Sequence, residues 1–199
     1  MPNKVRFGLS NVAVAFQKDD GQFDTPTRIP GAVTITMDAE GDQSVFYADN
    51  SAYYTVNSNA GYTGELTMAL IPDEIKAKML GWKIDKNGAL VEVSDGFPKA
   101  FALLFQINGD SVHRYNLFYN VMANRPSEEH NTTEDSAEPT TEAMPFTATP
   151  LVIDNEKVTK LSVEINETNQ EIVEGFYDKV YLPDFTSSYK APVVSMPAK

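Results

Sequence analysis

The sequence predicts a mainly β fold, a β-sandwich or barrel flanked by one or two short α-helices. Three observations carry this expectation. Apolar and polar residues alternate with a period of two through residues 29–74 and again through 101–124, giving each strand one apolar and one polar face. Turn residues punctuate these runs at short spacing, as in Glu40-Gly41-Asp42, Asn87-Gly88 and Asn108-Gly109-Asp110. Only one stretch carries a helical stripe with matching ends. Strands adjacent in sequence are expected to pair. No linker or internal repeat divides the 199 residues, so one domain is expected over 1–183, followed by a flexible, patternless tail at 184–199.

The first strand is expected over 4–17. Val5, Phe7 and Leu9 share one face and Val12, Val14 and Phe16 the other, and the switch at Ser10-Asn11 predicts a β-bulge. Asp19-Asp20-Gly21 opens a loop that runs to Thr27. Val33, Ile35 and Met37 then alternate with Thr34, Thr36 and Asp38. The run Phe46-Tyr47-Ala48-Asp49-Asn50 and a strand at 53–57 follow, Gly61 reverses the chain, and Leu66, Met68 and Leu70 share a face.

Residues 72–80 predict a helix. Pro72 suits its start, Asp73 and Glu74 complement the dipole, Lys76 and Lys78 come later, and Gly81 can take the left-handed cap. Ile75 and Met79 face a sheet, and Trp82 covers the helix end. A short strand is expected at 89–93 and a strong hairpin from Phe101, Leu103, Phe105 and Ile107 into 112–124. Residues 126–139 lack any apolar period and read as an exposed loop. Beyond it are expected a strand at 141–149 with Met144, Phe146 and Ala148 on one face, a turn from Leu151, a strand at 158–165, a helix at 168–176 with Ile172, Val173 and Phe176 inward, and a closing strand at 179–182.

Charge is the main clue to function. Between Arg28 and Lys76 there is no basic residue but seven carboxylates, namely Asp38, Glu40, Asp42, Asp49, Glu65, Asp73 and Glu74. A net charge of −12 argues against a protein that grips nucleic acid, because that affinity comes from clustered Lys and Arg. With no cysteine there is no disulfide framework, thiolate site or Cys nucleophile. No apolar run approaches the roughly 20 residues of a membrane-spanning helix, no export signal is evident, and the cytoplasm is the expected compartment.

The residues present no catalytic, cofactor or metal constellation. His113 and His130 lack a second histidine at ligand spacing, and Asp38, Glu40 and Asp42 fall short of a calcium loop. Glu128 and Glu129 are adjacent on a loop without an aromatic platform for sugars. Nucleophile elbow, phosphate loop and dinucleotide fingerprint are missing. Asn131-Thr132-Thr133 and Asn166-Glu167-Thr168 read as chance glycosylation matches. Phe46, Tyr47, Tyr53 and Tyr54 suit a core, a subunit interface or a stacked ligand.

Several blocks in order and spacing carry a family resemblance. They are Asn3-Lys4-Val5-Arg6-Phe7-Gly8-Leu9-Ser10-Asn11-Val12, Ile29-Pro30-Gly31-Ala32-Val33, Glu40-Gly41-Asp42, Phe46-Tyr47-Ala48-Asp49-Asn50 and Tyr53-Tyr54-Thr55-Val56-Asn57. Gly61-Tyr62-Thr63-Gly64, Ala69-Leu70-Ile71-Pro72-Asp73, Asp85-Lys86-Asn87-Gly88-Ala89, Phe101-Ala102-Leu103-Leu104-Phe105, Asn124-Arg125-Pro126 and Glu138-Pro139-Thr140-Thr141-Glu142 continue it. The chain resembles the major tail (tail-tube) proteins of long-tailed phages of Gram-positive hosts, the phi-thirteen type, well over 1–150 and more loosely over 178–183.

The resemblance implies a small β-sandwich with a flanking helix, assembled into hexameric rings that stack into a hollow tube. Each subunit would lend strands to a β-barrel shared around the ring. It implies a structural virion protein without catalysis or cofactors, assembled in the host cytoplasm. Its implied partners are further copies of itself, the tape-measure, tail-tip and tail-terminator proteins, and genomic DNA passing through unbound. Asp38, Glu40, Asp42 and Glu65 are then candidate lumen-facing carboxylates, with a solvated outer face the alternative for each; the acidic stretch 128–142 is a second candidate that reads rather as an outer or inter-ring loop. Phe46, Tyr47, Tyr53 and Tyr54 become candidate inter-subunit contacts. The loops at 18–28 and 41–51 and both termini are candidates for gripping the next ring, and a dilute chain is expected to stay monomeric until templated by a tail tip. An alternative class is a β-sandwich binding module, an adhesin or decoration domain recognising a carbohydrate or cell-wall component; the tube of a contractile tail is a structural rival.

Overall fold

The computed structural model describes residues 4–127, 140–166 and 169–185. In chain order its elements are β1 (Arg6–Phe16), β2 (Thr27–Arg28), β3 (Ala32–Glu40), β4 (Gln43–Ala48), β5 (Ser51–Asn57) and β6 (Gly61–Met68). Helix α1 (Asp73–Leu80), β7 (Lys83–Ile84), β8 (Leu90–Val91), β9 (Phe101–Gly109) and β10 (Arg114–Ala123) follow. The chain continues with β11 (Glu142–Thr149), β12 (Leu151–Ile153), β13 (Glu156–Val158), β14 (Lys160–Glu164) and α2 (Gln170–Glu174). The fold is mainly β and antiparallel, as the alternation predicts.

The main sheet runs β2-β1-β9-β10-β11-β6-β3, with β14 pairing the first half of β10 on the edge whose second half pairs β11. Strand neighbours therefore differ from sequence neighbours in several places: β6 pairs with β11, β10 with β14, and β1 with β9, setting Phe16 opposite Phe101. The sheet curls, bringing β3 back beside β1. Val12 and Val14 of β1, Leu103 and Phe105 of β9, Phe118 of β10 and Phe146 of β11 are buried in the enclosed core. Helix α1 closes one end with Ile75, Met79 and Leu80. Its terminus follows expectation, with acidic residues in the first turn and Gly81 at φ 72° as the left-handed cap. Trp82 packs half-buried against the same core.

A second cluster covers the outer face of β1, β9 and β10. Ala13, Ala15, Ala102, Leu104, Leu117 and Tyr119 are buried there under Phe176 and Val180. This explains why β9 is buried on both faces from Phe101 to Gln106 rather than alternating inside and out.

Several expectations need correction. The bulge at Ser10-Asn11 is present, with Asn11 at φ 51°, but the register also slips between Phe7 and Leu9. A register shift between Ala32 and Thr34 takes Val33 out of step with Ile35 and Met37, leaving it exposed. Leu70 lies beyond the end of β6 and is exposed. Residues 151–158 form the β12–β13 hairpin through Asp154-Asn155, both at positive φ, rather than a plain turn. The closing strand expected at 179–182 is not a strand; Val180 drops into the second cluster, so the segment covers a face instead of extending a ladder. The loop at 128–139 and the tail beyond 185 lie outside the described residues.

Candidate functional site

The acidic stretch resolves into two structures with different chemistry. The first is the outer face of β3, β6 and β11. Directly opposed residues share a face, and register sets Asp38 opposite Thr63, Thr36 opposite Glu65, and Glu40 opposite Gly61. On the other side of β6, Pro145 opposes Glu65 and Thr147 opposes Thr63. Asp38, Glu40 and Glu65 therefore stand on one surface among threonines. The Thr63 hydroxyl donates to Glu40 Oε1 at 2.8 Å. Towards β10 the surface continues in amides, with Asn124 Nδ2 donating to Thr147 Oγ1 at 3.2 Å and Asn120 Nδ2 to Thr149 Oγ1 at 2.8 Å. None of β3, β6 and β11 contains Lys or Arg.

Nothing among the described residues covers this face, whereas the outer face of β1 and β9 lies under α2 and the segment after it. Strand β3 is also an edge of the ladder, paired only with β6. The third carboxylate of the turn, Asp42, lies between β3 and β4. The chain leaves β3 at Gly41, and Asp42 sits beyond it, where its backbone N–H donates to Ser58 Oγ at 2.8 Å and Ser58 N–H returns a bond to its carbonyl at 2.9 Å. Glu142, within the second acidic candidate, is engaged inward by Lys76.

The second structure is the ribbon β4–β5, a two-stranded sheet separate from the main one. Asp49 and Asn50, at φ 50° and 58°, make its tight tip. Phe46 opposes Tyr54, Tyr53 is the extra residue of a bulge beside them, and Tyr47 opposes Ala52 nearer the tip. These aromatics are 63–72% exposed. A two-stranded ribbon is marginal by itself, and a row of exposed aromatics marks a surface that another surface covers.

Sequence reasoning named the carboxylates and aromatics but missed their threonine and asparagine neighbours, of which Thr63 alone is marked in the chain, by sharing the parity of Glu65. It also missed Phe97, 89% exposed in the loop before β9. Among the described residues no group of three His, Asp or Glu side chains is arranged to hold a metal. No helix of the described residues is long and apolar enough to cross a membrane.

Antiparallel strands with a core inside the curled sheet and a second cluster on its outer face, an uncovered acidic face and an aromatic ribbon define a β-structural protein with surfaces for assembly. A family model described as Phage tail tube protein matches residues 3–186. The chain belongs to that family, a structural component of the phage tail rather than an enzyme family. No match was found among curated proteins.

Proposed function

We propose that this chain builds the tail tube from hexameric rings, with the face of Asp38, Glu40 and Glu65 turned to the lumen. The supporting observation is the uncovered, base-free face on a sheet whose neighbouring strands are covered on both sides. Lysines on a bore would contact many phosphates, each adding salt-dependent affinity and drag; carboxylates repel the polymer and let it slide. The edge strand β3 gives each subunit a place to join the next, so that strands close around the ring and no edge is left open.

The aromatic ribbon supplies contact between copies, through Phe46, Tyr47, Tyr53 and Tyr54. Asp42, between β3 and the base of the ribbon, stands where the bore wall meets that contact. Genomic DNA passes through without being bound, and tape-measure, tail-tip and tail-terminator proteins are the partners at the centre and ends. Residues 1–183 act as the tube domain. Assembly takes place in the host cytoplasm, from monomers that stay apart when dilute. The family match favours this reading over a carbohydrate-binding module.

Electron microscopy of concentrated protein tests it. Rings or hollow filaments are the expected result; a stable dimer with no tubes at any concentration would overturn it.

A further inference from the structure

We infer that Asn87 is a site of spontaneous modification, where the side-chain amide closes on the Gly88 backbone nitrogen and is lost as ammonia. Nothing in this step depends on the tube reading; it needs only this chain and water. The Gly88 nitrogen gives up its proton and bonds to Asn87 Cγ, the Cγ–Nδ2 bond breaks, and ammonia leaves with that proton. Water then opens the cyclic imide. Opening at Cγ gives aspartate, and opening at the backbone carbonyl gives isoaspartate, with the main chain rerouted through Cβ and Cγ. Nothing is oxidised or reduced. The sequence holds two pairs suited to this chemistry, Asn87-Gly88 and Asn108-Gly109, because a glycine carries no Cβ to hinder attack by its nitrogen. The structure separates them.

Asn87 and Gly88 form the exposed end of the β7–β8 hairpin, with open space around Gly88. The turn is closed chiefly by Asp85. Its Oδ1 accepts the Asn87 and Ala89 backbone N–H groups at 2.8 Å each, and its own N–H donates to Ala89 O at 2.9 Å. The reaction must break two other bonds, Gly88 N–H to Asp85 O and Asn87 Nδ2 to Asp85 Oδ2. These are the longest of the set, at 3.1 Å each, and both are open to water. The hairpin therefore keeps its shape while the reacting groups come free.

Asn108 is held in a different way. It lies half-buried in β9 opposite Phe7, and Gly109 opposes Arg6, so both belong to the ladder with β1. Asn108 Oδ1 accepts from Ser10 Oγ and from Gln106 Nε2, each at 3.2 Å. Gln106 is itself buried and accepts from Asn11 Nδ2 at 2.9 Å. Turning the Asn108 amide onto the Gly109 nitrogen would break this chain of amides and the strand pairing together. At Asn87 both products put a carboxylate where an amide stood. The isoaspartate also lengthens a loop whose ladder has only the pairs Lys83–Val91 and Ile84–Leu90.

Incubating the full chain in warm, mildly alkaline buffer tests the site, with a sample unfolded in urea as the reference. Peptide mapping by mass spectrometry follows the amide-to-acid change at both asparagines, and enzymatic methylation detects isoaspartate. In the folded protein Asn87 should convert at a rate within about tenfold of its unfolded rate, because an exposed turn opens at little cost. Asn108 should convert at least about a hundredfold more slowly folded than unfolded, because its ladder must open first. Isoaspartate at position 87 marks the imide route, since direct hydrolysis gives aspartate alone. An Asn87 that persists as long as Asn108 in the folded protein would overturn the inference. So would conversion of both at one rate, or aspartate at position 87 without isoaspartate.

Discussion

Lys76 Nζ lies 3.0 Å from Glu142 Oε1, and the other oxygen of that carboxylate accepts the Ile71 backbone N–H at 3.0 Å. One side chain from β11 thus ties down both the approach to α1 and the helix itself. The pair is half-sheltered, with side-chain exposures of 15% and 32%, so it is worth more than an open surface pair. Glu142→Ala should cost about 1–2 kcal/mol in denaturant unfolding, since it removes one charge-assisted and one backbone bond. Glu142→Gln should recover part of this by keeping an acceptor for Ile71.

Burial pushes the Tyr119 and Tyr177 hydroxyls well above the ordinary tyrosine value of 10.0. Neither buried hydroxyl has a hydrogen-bond partner among the described residues. Because the folded state holds these protons more tightly than the unfolded chain, stability is complete below about pH 10 and falls above it. Tyr119→Phe should be neutral or stabilising at pH 7, by up to about 1 kcal/mol, and should flatten the alkaline loss. Thermal melts of both proteins from pH 7 to 11 check this. A stability curve unchanged in shape by the substitution would contradict it.

Gly64 lies at the centre of β6, where an added Cβ would run into the Thr36 carbonyl and stand 2.8 Å from Phe146 Cζ. Both neighbours belong to paired strands, so neither retreats cheaply. Gly64→Val should destabilise by about 2–3 kcal/mol, read as a lower denaturant midpoint with an unchanged slope.

Replacing Asp38 and Glu65 together by lysine reverses the charge of the exposed face without touching the core, so folding and tube formation should persist. DNA confined in such tubes should bind their wall. With about six phosphates engaged, affinity should fall roughly a thousandfold between about 50 and 200 mM salt. Release of labelled DNA from variant and parent tubes gives the comparison, and equal release at low salt would contradict a bore-facing surface.

Much of this fold was legible where the signal is local. Period-two alternation located β9, β10 and β11, the parity change at Asn11 located a bulge, and Asp73 to Gly81 carried a complete helix signature. What escaped depends on contacts between distant residues. Alternation along 43–57 does not reveal that β4 and β5 leave the main sheet. Parity groups Asp42 with Asp38 and Glu40, and only its pairing with Ser58 reveals that it sits past β3, at the base of the ribbon. The outward ring of Phe97 follows from Gly81 packing on a loop that lies past an intervening hairpin. The pairing of β1 with β9 likewise joins segments whose matching residues, Phe16 and Phe101, carry no mutual signal in the chain.

The most direct measurement is a cryo-electron microscopy map of the assembled tube at side-chain detail. The account predicts Asp38, Glu40 and Glu65 on the inner wall and each ribbon seated between copies. A map with those carboxylates facing outward and a lysine-lined channel within would contradict it.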